Sequence, residues 1–178
     1  MKKFLSLIIS LTVIASVCAV VLAYVNNLTY EPIKEMEVRL ANDAAKAVMD
    51  TRCVNIEKKT INNVEAFIGS DSAGNIVSYA IVGSDGSGYG GDIELMVGFS
   101  PDGKVINYRQ LKANETPGLG TKLMSEEFSG QFSSKSAPFK VTKDGGNIEA
   151  ITSATVTSRA VCAAINRAAK EINAFLTK

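Results

Sequence analysis

The residues able to do chemistry gather in one stretch, Glu149-Ala150-Ile151-Thr152-Ser153-Ala154-Thr155-Val156-Thr157-Ser158. It presents hydroxyls at Thr152, Ser153, Thr155, Thr157 and Ser158 and a carboxylate at Glu149. Such hydroxyls can cap a helix or carry a phosphate ester. From Arg159 onward, Val161, Ile165, Ala168, Ile172 and Phe175 recur at spacings of three and four, the apolar face of a helix. Thr157 and Ser158 are natural N-caps for it, because a hydroxyl there accepts from a free N–H of the first turn. Thr155 then falls just before a helix N-terminus, where unpaired N–H groups and the dipole favour a phosphate. A hydroxyl-rich cap accounts for the same pattern. Spacing alone does not say that Thr155 is modified.

Other chemistries are removed by composition. The chain has no His, which takes away the commonest metal ligand and the usual general base near neutral pH. Ser-His-Asp and Cys-His triads are excluded with it. The cysteines, Cys18, Cys53 and Cys162, form no C-x-x-C, so zinc ribbons, thioredoxin-type pairs and c-type haem attachment are unsupported. A Cys53–Cys162 disulfide is open if that region is exported; two small buried thiols are the other reading. The net charge of +1 argues against a nucleic-acid partner, which would want a basic face.

The elements that must position the hydroxyl stretch follow from the pattern upstream. Lys2 and Lys3 precede an uncharged apolar run from Phe4 to Val25, and a bilayer core needs roughly 20 such residues as a helix. A cleaved signal peptide is the rival reading, but its apolar region usually spans only ~7–15 residues and no A-x-A site closes this run. The positive-inside rule keeps Lys2 and Lys3 in the cytoplasm and puts the rest outside. Asn26 to Tyr30 reads as a polar exit. Pro32 suits the first turn of a new helix, with Ile33, Met36, Leu40, Ala44, Ala47 and Val48 as its packing face up to about Asp50. Residues 1–25 thus form a cytoplasmic start and transmembrane helix, and 26–178 the extracytoplasmic domain.

Strand formers then alternate with turn signals. Cys53 to Ile61, Val64 to Ile68 and Ile76 to Val82 read as strands, the last two joined as a hairpin through Ser70 to Asn75. Ile93 to Phe99 and Lys104 to Leu111 make a second hairpin around Ser100-Pro101-Asp102-Gly103. Between the hairpins lies the glycine-rich run Gly83 to Gly91, read as a loop. It fails as a dinucleotide fingerprint because a strand follows where a helix is needed. Glu115 to Gly120 is a rigid loop, with a short helix near Thr121 to Phe128. Lys135, Lys140 and Lys143 could neutralise a phosphate, or simply form charged surface. The expected fold class is α+β: an antiparallel sheet facing a core on one side and covered by two flanking helices.

Three segments carry a resemblance to a known family. Glu149 to Thr155 resembles the flavin-transferase target motif of the FMN-binding domain family, with Glu149 where Asp is usual and Ser153 where Gly is usual. Glu115-Thr116-Pro117-Gly118-Leu119-Gly120 is similar to the signature shared by the G subunits of the Rnf electron-transport complexes and the C subunits of the sodium-pumping NADH:quinone reductases. Gly88-Tyr89-Gly90-Gly91 is the third segment. The resemblance implies FMN joined through its phosphate to Thr155, beside Ser153, Ala154, Thr152, Thr157 and Ser158. It implies that Glu115, Thr116, Gly118, Leu119 and Gly120 lie against the isoalloxazine ring, with Glu115 and Thr116 setting polarity and Leu119 an apolar wall. Tyr89 is either an aromatic neighbour of that ring or part of a flexible turn.

The same resemblance implies an electron-carrying component of a membrane-bound, ion-translocating ferredoxin:NAD oxidoreductase, with no complete activity alone. Its partners would be the other membrane subunits and, during maturation, a flavin transferase that uses FAD as donor and itself requires magnesium. No metal site is expected on this chain. The C subunit of the quinone reductase, usually a longer chain, and a cofactor-free membrane-anchored module are the alternatives.

Overall fold

The computed structural model describes residues 2–61 and 64–176. The chain divides into two units, Met1–Leu40 and Ala41–Lys178. A single helix, α1 (Lys2–Val48), runs through Pro32, so the expected break between membrane helix and second helix does not occur. One proline removes one N–H and crowds one carbonyl. Thr29, just ahead of it, donates its hydroxyl to the carbonyls of Val25 and Asn26 at 3.0 and 3.3 Å, supporting the ladder there. The helix is long and apolar enough to cross a membrane. Met36 and Leu40, expected to pack on the domain, are exposed, as is Ile33. The first unit is one helix and offers no second element to bury them. Burial begins at Ala44 and Ala45 and continues at Val48 and Met49, while Ala47 is exposed.

The second unit is built on five antiparallel strands in sequential order: β1 (Asn55–Ile61), β2 (Val64–Ser70), β3 (Ile76–Gly88), β4 (Gly91–Phe99) and β5 (Val105–Lys112). Both hairpin turns form as their residues require. Asp71 Oδ1 accepts the N–H groups of Ala73 and Asn75, each at 2.9 Å, and Gly103 closes the other turn onto Ser100 at 2.9 Å. The sheet is not one-sided, as expected, but buried on both faces. Ala66, Ile68, Tyr79, Ile81, Leu95 and Val97 join one core with the C-terminal helix. Phe67, Ala80 and Met96, the alternating residues, join another with Ala44, Ala45, Val48 and Met49. Period-two alternation assigns residues to faces; it does not say that both faces are covered. Cys162 lies in the first core and Cys53 against the second, with the sheet between them, and both are free thiols. The open disulfide is thereby excluded.

The glycine-rich run expected as a loop is mostly strand. Gly83, Ser84 and Asp85 pair with Leu95, Glu94 and Ile93, and only Tyr89-Gly90 is left as the hairpin tip. Gly83 serves packing: a Cβ there would run into the backbone carbonyl of Ala164 on the helix above. After β5 the chain is irregular. The single short helix expected over Thr121 to Phe128 is split into a 3-10 turn, Gly120–Met124, and α2 (Glu126–Ser129). Extended Ser125 stands between them and accepts the Phe128 N–H at 3.4 Å, capping the second piece. Beneath this region Phe132 packs edge-on against Tyr108, Phe128 and Phe139, with centroids 5.6, 5.5 and 5.1 Å away. The Tyr108 hydroxyl donates to the Leu123 carbonyl, and burial raises its pKa.

Helix α3 (Thr155–Leu176) closes the fold. Ala160, Val161, Ala164, Ile165, Ala168 and Ile172 are buried on the sheet; the side chain of Phe175 lies outside the described residues. Arg167 fixes the helix along β3, pairing with buried Asp85 at 2.8 Å and donating to the Ser84 carbonyl at 2.7 Å. Asn166 ties down Phe139 by bonding both its N–H and its carbonyl, at 2.7 and 2.8 Å.

Candidate functional site

Helix α3 starts at Thr155, so Thr157 and Ser158 are inside its first turn rather than capping it. The turn before the helix explains the shift. Ser153 sits in the left-handed region at φ 63°, and Ala154 N–H closes onto the Ile151 carbonyl at 2.9 Å. The chain therefore enters the helix at Ala154, earlier than a search for capping hydroxyls places it. The position of Ser153, where the family's motif usually has Gly, is the one that demands positive φ. The first intrahelical bond is Ser158 N–H to the Ala154 carbonyl at 3.0 Å. The N–H groups of Thr155, Val156 and Thr157 come before it and are the helix's free donors.

Thr157 and Ser158 hold the site instead of ending the helix. Buried Ser158 accepts the Ile151 N–H at 2.9 Å and donates to the Ala154 carbonyl at 2.9 Å, locking the turn. Buried Thr157 donates to Glu115 Oε2 at 2.7 Å. The other oxygen of Glu115 accepts the Gly90 N–H at 3.3 Å. One buried carboxylate thus joins the β3–β4 tip, the 115–120 loop and the start of α3. Gly90 has no room for a side chain: a Cβ would strike the Asn114 carbonyl.

These three segments enclose a cavity of about 420 Å³. Tyr89 comes from the hairpin tip, Glu115, Thr116, Leu119 and Gly120 from the loop, and residues 153–157 from the head of α3. Of the residues expected at the site, Tyr89, Glu115, Thr116, Leu119, Gly120, Ser153, Ala154, Thr155 and Thr157 converge there. Thr152, Ser158 and Gly118 do not. Thr152 lines a second hollow of about 490 Å³ with Lys122, Gln131 and Glu149. Gly118, at φ 77°, shapes the loop and donates to Thr121 Oγ1 at 2.9 Å.

Val156 lines the cavity and was not foreseen; its place beside Thr155 in the first turn was the available signal once the helix start was known. Lys143 is the one expected lysine that reaches the stretch, its Nζ 3.3 Å from Thr155 Oγ1. The adjoining Asp144 forms a two-pronged pair with Arg159 at 2.7 Å for each bond. That guanidinium holds the Asp144 carboxyl below its ordinary pKa.

The cavity is lined by apolar side chains and a few polar groups, the usual form of a small-molecule site. An ammonium, a hydroxyl and unpaired N–H groups meet at Thr155, which suits an anionic tail. Leu119 and Val156, both partly exposed, with Tyr89 at the mouth suit a flat apolar ring system. FMN has both parts, and the residues present fit it.

The FMN-binding domain family model matches residues 88–170, a range that contains every cavity-lining residue. The G subunit of the proton-translocating ferredoxin:NAD(+) oxidoreductase complex of Clostridium ljungdahlii is 32% identical, over 93% of this chain and 90% of its own length. The G subunit of the Na(+)-translocating ferredoxin:NAD(+) oxidoreductase complex of Acetobacterium woodii is 36% identical, over 88% of this chain and 85% of its own length. The chain belongs to this G-subunit family. The part that matches the FMN-binding domain model runs from the β3–β4 tip through β4, β5 and the irregular region into α3. A solved C subunit of the Na(+)-translocating NADH-quinone reductase from Parabacteroides distasonis is similar in fold, with a TM-score of 0.50 at 22% identity. The match spans 65% of this chain and less than two thirds, 63%, of that one. This chain and the quinone reductase subunit are thus alike in fold, at a lower sequence identity than this chain has with the two G subunits.

Proposed function

We propose that this chain is the FMN-carrying electron-transfer component of an ion-translocating ferredoxin:NAD(+) oxidoreductase complex, with FMN attached through its phosphate to Thr155. The observation that carries this reading is convergence. Three separate sequence segments meet around one cavity, and the motif's last residue, Thr155, lines it at a helix start with its hydroxyl against a lysine. The G-subunit relatives support the assignment to such a complex. FMN, when bound, supplies reversible electron transfer. The protein supplies placement and a fixed electrostatic setting.

In this reading each residue has a definite task. Leu119 and Val156 shield the ring from water, and Tyr89 covers the mouth. Glu115 keeps its carboxyl group in a fixed place at the cavity wall, with both oxygens already bonded. Thr155 provides the tether, which keeps a soluble cofactor from diffusing away. Attachment forms an Oγ–P bond and breaks the anhydride of FAD. AMP leaves, and the hydroxyl proton passes to a base of the flavin transferase. Helix α1 anchors the protein as a single pass, with Lys2 and Lys3 in the cytoplasm and the FMN domain outside. Its contacts are with other membrane subunits rather than with ferredoxin or NAD.

The full chain, co-expressed with a flavin transferase, tests this directly. The parent should give a fluorescent band that survives a denaturing gel, and Thr155→Ala should give none. A band that persists in Thr155→Ala would move the tether elsewhere. No band in the parent, beside a labelled control protein, would favour a cofactor-free anchored module.

A further inference from the structure

We propose that Lys143 is the counter-charge of the Thr155 site: its ammonium presents the hydroxyl for esterification and then pairs with the resulting phosphodiester. The proposal rests on attachment at Thr155 and adds a residue outside the motif. An ammonium has donors only, so in the 3.3 Å contact Thr155 Oγ1 is the acceptor. The hydroxyl's own hydrogen is left for another base, the arrangement that esterification needs. In the step itself Oγ–P forms, the FAD anhydride breaks, AMP leaves and the proton goes to a base of the transferase. Lys143 gains and loses no atoms.

Lys143 is exposed but not loosely placed. It lies in the middle of the 3-10 turn Thr142–Asp144. Thr142 N–H bonds the Ile148 carbonyl at 2.8 Å on one side. On the other, Asp144 is gripped by Arg159, one helical turn beyond Thr155. The turn and the helix head are therefore pinned to each other, with Lys143 between. Arg159 is engaged with Asp144, and this leaves the Lys143 charge to face an anion. The free N–H groups of Thr155, Val156 and Thr157 add the positive end of the α3 dipole to the same place.

The test uses the full chain in membranes with flavin transferase and FAD, reading the initial rate of covalent fluorescence. Lys143→Gln should slow labelling roughly tenfold, the scale of one charge-assisted bond. Lys143→Arg should keep most of the parental rate. Lys135→Gln, which removes another exposed lysine whose backbone N–H and carbonyl are engaged, with Phe132 and Val105, should label as the parent does. Thermal unfolding before labelling should be the same for Lys143→Gln and parent. A parental rate in Lys143→Gln, with Thr155→Ala unlabelled, would overturn the role of Lys143 and leave the attachment reading standing. Equal slowing in Lys143→Arg and Lys143→Gln would also overturn it, because charge would not be the cause. An unlabelled parent beside a labelled control, or a labelled Thr155→Ala, would sink the attachment reading and this proposal with it.

Discussion

The floor and the rim of the cavity are built from neighbouring residues but differ in what holds them. On the floor, Glu115, Gly120 and Thr157 are buried, and the Glu115 carboxylate bonds two other segments. On the rim, Tyr89 is 74% exposed, Val156 44% and Leu119 40%. Thr155 and Thr157 show the contrast within two residues: one hydroxyl meets a surface lysine, and the other is sealed onto a carboxylate. Floor residues therefore belong to the fold as much as to the site. Rim residues are free to serve a ligand, because little of the fold depends on them.

Substitutions can break or sharpen this division. The largest effect is expected at Gly90→Val, which forces a branched side chain into the Asn114 backbone. It should cost about 3 kcal/mol or prevent folding, read from urea unfolding. Thr157→Val leaves the buried Glu115 carboxylate short of a donor and should cost about 2 kcal/mol by the same measurement. An unchanged midpoint would mean that the floor is not coupled to the fold. Ser153→Gly relieves a left-handed backbone, so it should stabilise by about 0.5–1 kcal/mol.

Acid titration sharpens the comparison at the edge of the site. Arg159 lowers the folded-state pKa of Asp144. The stabilisation it brings is therefore fully present above the unfolded carboxylate value, about pH 4, and is lost as pH falls through the folded value. Asp144→Asn should be less stable than the parent at neutral pH, and the gap should close on acidification; a gap independent of pH would deny the pair a role. The smallest effects belong to the rim. Leu119→Ala and Val156→Ala should change stability by less than about 0.5 kcal/mol, yet alter the absorption of the bound flavin. Both cores give a further check: burial pushes the Cys162 thiol up to about 12, so it should resist alkylation until the domain unfolds.

Much was legible in residue order alone. The antiparallel order of the strands followed from two hairpins with strong turn residues, Asp71 to Asn75 and Ser100 to Gly103. Helix α3 followed from Val161, Ile165, Ala168 and Ile172. Its start did not, because Thr157 and Ser158 look like caps when their actual partners, Glu115 and Ile151, are distant in sequence or hidden by a left-handed Ser153. The run from Gly83 looked like a loop because glycine weakens strands, and the neighbour that needs it small, Ala164, is on the helix above.

What the chain determined by itself was local and periodic. The apolar run of α1, the alternation of the strands, the absence of histidine and the motif ending at Thr155 are all properties of residue type and spacing. What only the tertiary structure decided was company. It set both sheet faces against cores, which keeps Cys53 and Cys162 apart. It brought Lys143, rather than Lys135 or Lys140, to Thr155, and it turned Thr157 inward onto Glu115. Periodicity tells which side of an element a residue takes; which residue it meets there depends on chain closure over long separations, where spacing carries no signal.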